Sequence, residues 1–251
     1  MKSLTHYIQE KLVIKKKSNN YNYFPQTKKE LQDIIKKRIE QEGNEVDLND
    51  IDVSNITDMS GLFKQTDFNG DISEWDVFNV RDMSYMFFGC ESFNKDISTW
   101  NVSNVKTMFY MFGKCKKFNS DISDWDVSNV TDMNHIFYGC KSFNQDISKW
   151  NVSNVTDMGA MFYKCTLFNK DISNWDVSNV KNMNCMFTNC YKFNQDISTW
   201  DVSNVTNMQY MFFFCKSFNQ DISKWDVSNV NKRDEIFFNC PIEEKYRPKS
   251  K

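Results

Sequence analysis

The feature that most constrains this chain is the spacing of its tryptophans. Trp75, Trp100, Trp125, Trp150, Trp175, Trp200 and Trp225 stand 25 residues apart and account for all 7 in the sequence. Between them the stretch WDVSNVTDM, MFxxC, FNQDIS recurs with few changes. A period in this range marks a stacked or radial repeat architecture, in which no single unit can bury its apolar face alone. Such a chain grows by adding turns and not by enlarging one core, so 251 residues do not translate into a number of globular domains.

Composition bears on how the turns are made. The chain holds 7 Gly and 3 Pro, too few to build every corner of a repeat array from glycine. Asn, Asp and Ser take that role, because their side chains bond the nearby backbone and Asn tolerates left-handed conformations. An aromatic fraction of 16%, with 22 Phe, argues for a packed repeat region.

The constant columns read as ladders. Val77, Val80, Met83, Phe87, Phe93 and Ile97 each recur at the same spacing. Stacked in register, they make a dry core running the length of the array. The segment DISxWDV alternates β-forming residues and predicts a short strand. The segment TDMxxMFxxC places apolar residues at i, i+3, i+4 and i+7, which predicts a short helical or 3-10 segment. The expected fold class is therefore an α/β repeat solenoid, with parallel short strands about 4.8 Å apart.

Three columns carry sharper possibilities. The Asp column (Asp71 through Asp221) places like charges one turn apart, a repulsion on the order of 1–4 kcal/mol at surface-like dielectric. Bonds to Ser or backbone at a corner offset it in the structural reading, and Ca²⁺ would do so in the functional one. The Cys column (Cys90 through Cys240) reads as buried free thiols, since copies pointing the same way make poor disulfides and no CxxC pair suggests zinc. The Trp column is either a buried edge of the core or an exposed aromatic ladder for carbohydrate or peptide.

Outside the array the chain divides as follows. Residues 1–26 form an amphipathic segment and linker. Leu4, Ile8 and Leu12 share one helical face there, as a candidate docking helix for a partner or for packing on this chain itself. Residues 27–50 hold a capping helix, begun by the capping box Thr27–Glu30 and closed at Gly43, and an acidic connector. Residues 51–240 are the repeats, roughly eight turns. Residues 241–251 read as a loose, solvated tail.

Catalysis has little to stand on. The 2 histidines are His6 and His135, no phosphate-binding glycine loop occurs, and no cofactor or metal is implied. A formal net charge of −2 gives no bulk signal for nucleic acid. No apolar run reaches membrane-span length, and the N-terminus lacks an uninterrupted signal-peptide core, which makes the cytoplasm the default compartment. Specificity in repeat proteins resides in the columns that vary. One precedes each Trp: Glu74, Thr99, Asp124, Lys149, Asn174, Thr199, Lys224. The other follows the Met column by two residues: Tyr85, Tyr110, His135, Ala160, Cys185, Tyr210, Glu235. Its aromatic members, Tyr85, Tyr110 and Tyr210, together with His135, suit contacts with a protein.

The recurring MFxxCxxFNQDISxWDVSNVTDM resembles the repeat of the BspA-like surface proteins and mycoplasma lipoproteins, a leucine-rich-repeat-like family, over residues 51–240. The resemblance implies a right-handed leucine-rich-repeat-like solenoid and a role in adhesion or protein binding. It brings no catalytic residues. The family's occurrence in phage and mobile elements implies a second reading, a virion-associated structural protein docked through its N-terminal helix. A carbohydrate-binding module using the Trp column is the third.

Overall fold

The computed structural model of the protein describes residues 21–249. The candidate docking positions Leu4, Ile8 and Leu12 lie outside them. The first element, α1 (Lys28–Glu42), forms where the capping signals predict. Thr27 is extended and its hydroxyl accepts the Glu30 N–H at 3.2 Å, while the Glu30 carboxylate accepts the Gln26 N–H at 2.7 Å. Gly43 ends the helix at φ +86°, a conformation that favours glycine. Leu31 and Ile35 are buried against the first repeats. Arg38 fastens the far end, donating to both Asp50 carboxylate oxygens, to Glu42 and to the Asp47 carbonyl. The Glu42 and Asp50 carboxylates hold its charge firmly in place. Among the described residues no helix is long and apolar enough to cross a membrane.

The repeats hold neither the strands nor the helical segments that the sequence pattern predicts. Apart from α1, the one helix among the described residues is a 3-10 turn at Glu244–Tyr246. Neighbouring repeats meet in isolated parallel bridges, through Asp58, Asp82, Thr107, Asp132, Asp157, Asn182, Asn207 and Lys232. The segment after each bridge is a chain of interlocking turns. In residues 133–140 the N–H groups of Ile136, Tyr138 and Cys140 each bond the carbonyl three residues back. The N–H groups of Met133, His135, Phe137 and Gly139 instead donate forward, to Asp157, Gly159, Met161 and Tyr163 of the next repeat, at 2.6–3.1 Å. A helix would direct all of these four residues back within the segment. The apolar spacing i, i+3, i+4, i+7 is real, but a run of turns produces it as well as a helix does.

Successive repeats lie on one another through identical side chains. The Phe87, Phe112 and Phe137 rings stack nearly parallel at 5.6 and 5.9 Å, and each faces a second phenylalanine of its own repeat at 3.9–4.0 Å. Val, Met and Ile columns complete the buried interior. The Trp column belongs to it: all seven rings are 3–5% exposed. The rings lie within 2–4° of parallel in the pairs Trp75–Trp100, Trp100–Trp125, Trp175–Trp200 and Trp200–Trp225. Each indole N–H donates to a carbonyl of the preceding repeat, as Trp150 does to Ile122 at 3.0 Å. A sugar needs an open ring face, and these faces are covered, so the exposed-ladder reading is corrected. The cysteine thiols do more than fill space. Cys140 Sγ donates to the Phe112 carbonyl at 2.9 Å, and Cys90, Cys115, Cys165 and Cys190 bond the equivalent carbonyls. All of the cysteines are free, and burial pushes the Cys90 thiol up to about 11.

The corners use Asx chemistry in place of glycine. Every member of the Asp column accepts the N–H two residues on, from Asp71–Ser73 to Asp221–Ser223. These serine bonds hold Asp121, Asp146, Asp196 and Asp221 below the usual carboxylate range. Among the described residues no group of three or more His, Cys, Asp or Glu is placed to hold a metal ion. The two Asn columns sew repeats together. Asn154 Nδ2 donates to the Ser128 carbonyl of the repeat before it. Asn144 Oδ1 accepts the Asn169 N–H of the repeat after it.

Both ends depart from the expected boundaries. The stack begins at the supposed connector: Asn44 and Val46 carbonyls accept from Asn69 and Asp71, and the Leu48 carbonyl takes the indole N–H of Trp75. Gly70 belongs to this junction. A Cβ there would lie 2.1 Å from the Val46 carbonyl oxygen and 2.6 Å from the Phe68 ring. The C-terminal segment is not a loose tail as far as Arg247. Ile242 is 2% exposed, Glu243 N–H continues the Asn ladder onto Asn219, and the Tyr246 carbonyl accepts the Ile222 N–H at 3.0 Å. The last repeat leaves apolar surface uncovered, and this segment closes part of it.

Candidate functional site

The residues of the second variable column owe their position to backbone strain. Tyr85, Tyr110, His135, Ala160, Cys185, Tyr210 and Glu235 all lie at φ between +49° and +60°. From Tyr85 through Tyr210 each is the third residue of a four-residue turn, such as the one closed by Met86 N–H on the Met83 carbonyl. A positive φ there is the type II signature, usually met by glycine. Non-glycine residues in this region cost on the order of 1–3 kcal/mol each. The inter-repeat bonds hold them there, and the side chains emerge as a row along one side of the stack.

The first part of that row is aromatic. Tyr85 stacks on Tyr110 at 5.3 Å and Tyr110 on His135 at 4.1 Å. Three positions further along each repeat runs a column that sequence reasoning missed: Phe88, Gly113, Tyr138, Tyr163, Thr188, Phe213, Phe238. Its signal was available, since five of these seven residues are aromatic. Tyr138 and Tyr163 stack at 4.6 Å, and Phe88 sets its edge against Tyr85 and Tyr110. Gly113 interrupts this column. A Cβ there would lie 2.8 Å from the Tyr110 ring and 2.9 Å from the Phe88 ring, so the glycine lets both rings turn into its place.

Above these rings lies a groove of about 440 Å³, lined by Lys64, Gln65, Tyr85, Phe88, Tyr110, Lys114 and Tyr138. Lys64 Nζ lies 4.5 Å from the centre of the Tyr85 ring, and Lys114 Nζ 5.1 Å from that of Phe88. The nearby carboxylates are already engaged: Asp67 accepts from the Ser92 N–H and hydroxyl, and Glu91 pairs with Lys116 at 2.6 Å. Burial, with Tyr138 and Tyr85 beside it, pushes the Tyr110 phenol up to about 12, so it keeps its proton at neutral pH.

Of the predicted site residues, Tyr85 and Tyr110 line the groove and His135 continues its aromatic row. Tyr210 lies farther along, in a separate cluster with Phe213, Phe214 and Phe238. The column before each Trp is exposed throughout, but on turns and not on a sheet face. Several of its members bond within the protein: Thr99 to the Ser73 carbonyl, Thr199 to the Ser173 carbonyl, and Lys149 to Asp124 at 3.1 Å. Glu74, Asn174 and Lys224 share its exposure, and none of them lines the groove at Gly113 or the hollow adjoining it.

Burial pushes the His135 imidazole down to about 4 from 6.5, against a smaller opposing effect of Asp157. The folded protein therefore takes up this proton later than the unfolded chain does. Acidification removes stability starting near the unfolded value of 6.5 and levels off near 4. The urea midpoint should fall more between pH 7 and pH 5 in wild type than in His135→Tyr, which carries the tyrosine of the two repeats before it. Equal losses would mean that the histidine takes no part in the acid response.

A family model described as Mycoplasma protein of unknown function, DUF285, matches residues 29–150 and again residues 133–246. No curated protein and no solved structure matches the chain.

Proposed function

The chain belongs to the Mycoplasma protein family of unknown function DUF285, and on that premise we propose that it is a non-enzymatic scaffold that binds another protein. Its stacked turns act as a right-handed, leucine-rich-repeat-like solenoid, and its role is of the adhesion type. The constant columns are consumed in holding the repeats together. What remains for recognition are the residues that change from repeat to repeat, and the groove at Gly113 gathers several of them. The observation that carries the reading is this half-buried aromatic row, set beside a groove and maintained at positive φ despite its cost. Aromatic side chains with polar tips are the usual anchors of protein interfaces.

The test is capture of a partner from extracts of the source organism on immobilised chain. Wild type is compared with a Phe88→Thr/Tyr138→Thr variant. The same column holds Thr188 in another repeat, so the backbone accommodates that residue. A partner retained by wild type and lost by the variant supports the groove. A partner retained equally by both places binding elsewhere.

A further inference from the structure

We infer that the groove at Gly113 takes an acidic segment of the partner protein, with Asp or Glu side chains reaching Lys64 and Lys114 while an apolar residue lies on Phe88 and Tyr110. This deepens the binding reading above and rests on it.

Several lysines elsewhere in the protein are matched to carboxylates: Lys28 to Asp58, Lys95 to Glu45, Lys116 to Glu91, Lys149 to Asp124. Lys64 and Lys114 have no carboxylate partner among the described residues, although Asp67 and Glu91 share the adjoining hollow with Lys114. Both are exposed, and both approach the aromatic floor from its two sides. A lysine over a ring keeps its other N–H directions open to solvent or to an incoming anion. Tyr110 lines the same groove, and its phenol is a neutral donor. The groove thus combines two unmatched positive charges with an apolar floor, and the complementary ligand carries carboxylates flanking an apolar side chain.

Lysines interleaved with aromatic rings also suit single-stranded nucleic acid, where bases stack on open ring faces. Here the faces are taken. Tyr85 lies on Tyr110, Tyr110 on His135 and Tyr138 on Tyr163, while Lys64 and Lys114 sit over Tyr85 and Phe88, so few ring faces are left for a base. The acidic peptide is favoured on this count.

The experiment is fluorescence anisotropy on the intact chain with three labelled probes: a short Glu/Leu peptide, its Gln/Leu counterpart, and oligothymidylate. The Glu/Leu peptide should bind, and its affinity should fall as added salt shortens the Debye length from about 10 Å to about 3 Å. Lys64→Gln/Lys114→Gln should bind it roughly tenfold more weakly, whereas Lys64→Arg/Lys114→Arg should retain most of the affinity. Equal binding of the Gln/Leu peptide, or an unchanged affinity in the double Gln variant, would overturn the inference. So would tighter binding of oligothymidylate than of the acidic peptide. The two readings fail separately. If no acidic peptide binds, yet the native partner is still lost by Phe88→Thr/Tyr138→Thr, the acidic chemistry is wrong and the scaffold stands. If that partner is indifferent to Phe88 and Tyr138, the groove itself is not the site.

Discussion

Phe137→Ala should destabilise the protein by about 3–5 kcal/mol, the range for removing a fully buried aromatic ring. Phe137 is 0% exposed and sits mid-stack. Its ring lies 3.9 Å from Phe143, 5.9 Å from Phe112, 5.8 Å from Phe162 and 6.1 Å from Trp150. The cavity cannot close by collapse. The neighbours on either side are tied by backbone bonds, Phe112 N–H to Ile136 and Phe137 N–H to Met161. Because each repeat touches only its neighbours, the damage also weakens the coupling between the two halves. Urea unfolding followed by tryptophan fluorescence should show a lower midpoint and a broader transition. A loss below about 1 kcal/mol would mean that the ladder packs far more loosely than its geometry indicates.

Gly70→Gln should be the next most damaging change, costing about 1–3 kcal/mol or more through overpacking. Glutamine is a native residue of this column, at Gln145, Gln195 and Gln220, so residue type is not the obstacle. The obstacle is the Val46 carbonyl oxygen, 2.1 Å from where the new Cβ would stand, which is backbone and cannot rotate away. The reverse change, Gln145→Gly, loses the bond from Gln145 Nε2 to the Asn119 carbonyl and adds backbone freedom, an effect of about 1 kcal/mol. Thermal midpoints of the two variants should therefore differ clearly, with Gly70→Gln the lower. Equal midpoints would mean that residues 44–48 do not hold their place on the first regular repeat.

The sequence made the stacking legible because identical residues at identical spacing have one economical use, the ladder. The Phe, Val, Ile and Trp columns lie inside, save Val227 and Phe237 of the last repeat, which are partly buried, and α1 starts and stops within one residue of its capping signals. The secondary structure of the repeat was not legible. Turns closed three residues apart and helices closed four apart put apolar side chains at overlapping positions, so Met133, Ile136, Phe137 and Cys140 fit both. Left-handed backbone gave no warning either, because the positions that adopt it hold Tyr, His, Lys or Cys as well as Gly. The aromatic row was half visible: Tyr85, Tyr110 and His135 stood out as a variable column. Phe88 and Tyr138 did not, because Gly113 breaks their run, and that same glycine makes room for the Phe88 and Tyr110 rings that line the groove.

The central claim is that each period of 25 residues is one interchangeable turn, stacked in register on its neighbours. The direct measurement is equilibrium unfolding of two deletion variants. One lacks residues 126–150, a whole period from after Trp125 through Trp150. The other lacks residues 126–137, about half a period, which sets the Phe and Trp ladders out of phase. The whole-period deletion should rejoin Trp125 to Asn151 in register and unfold cooperatively with a midpoint close to wild type, because every interior turn offers its neighbours the same side chains. The half-period deletion should lack a cooperative transition. Loss of cooperative unfolding in the whole-period variant, or its survival in the half-period one, would contradict the claim.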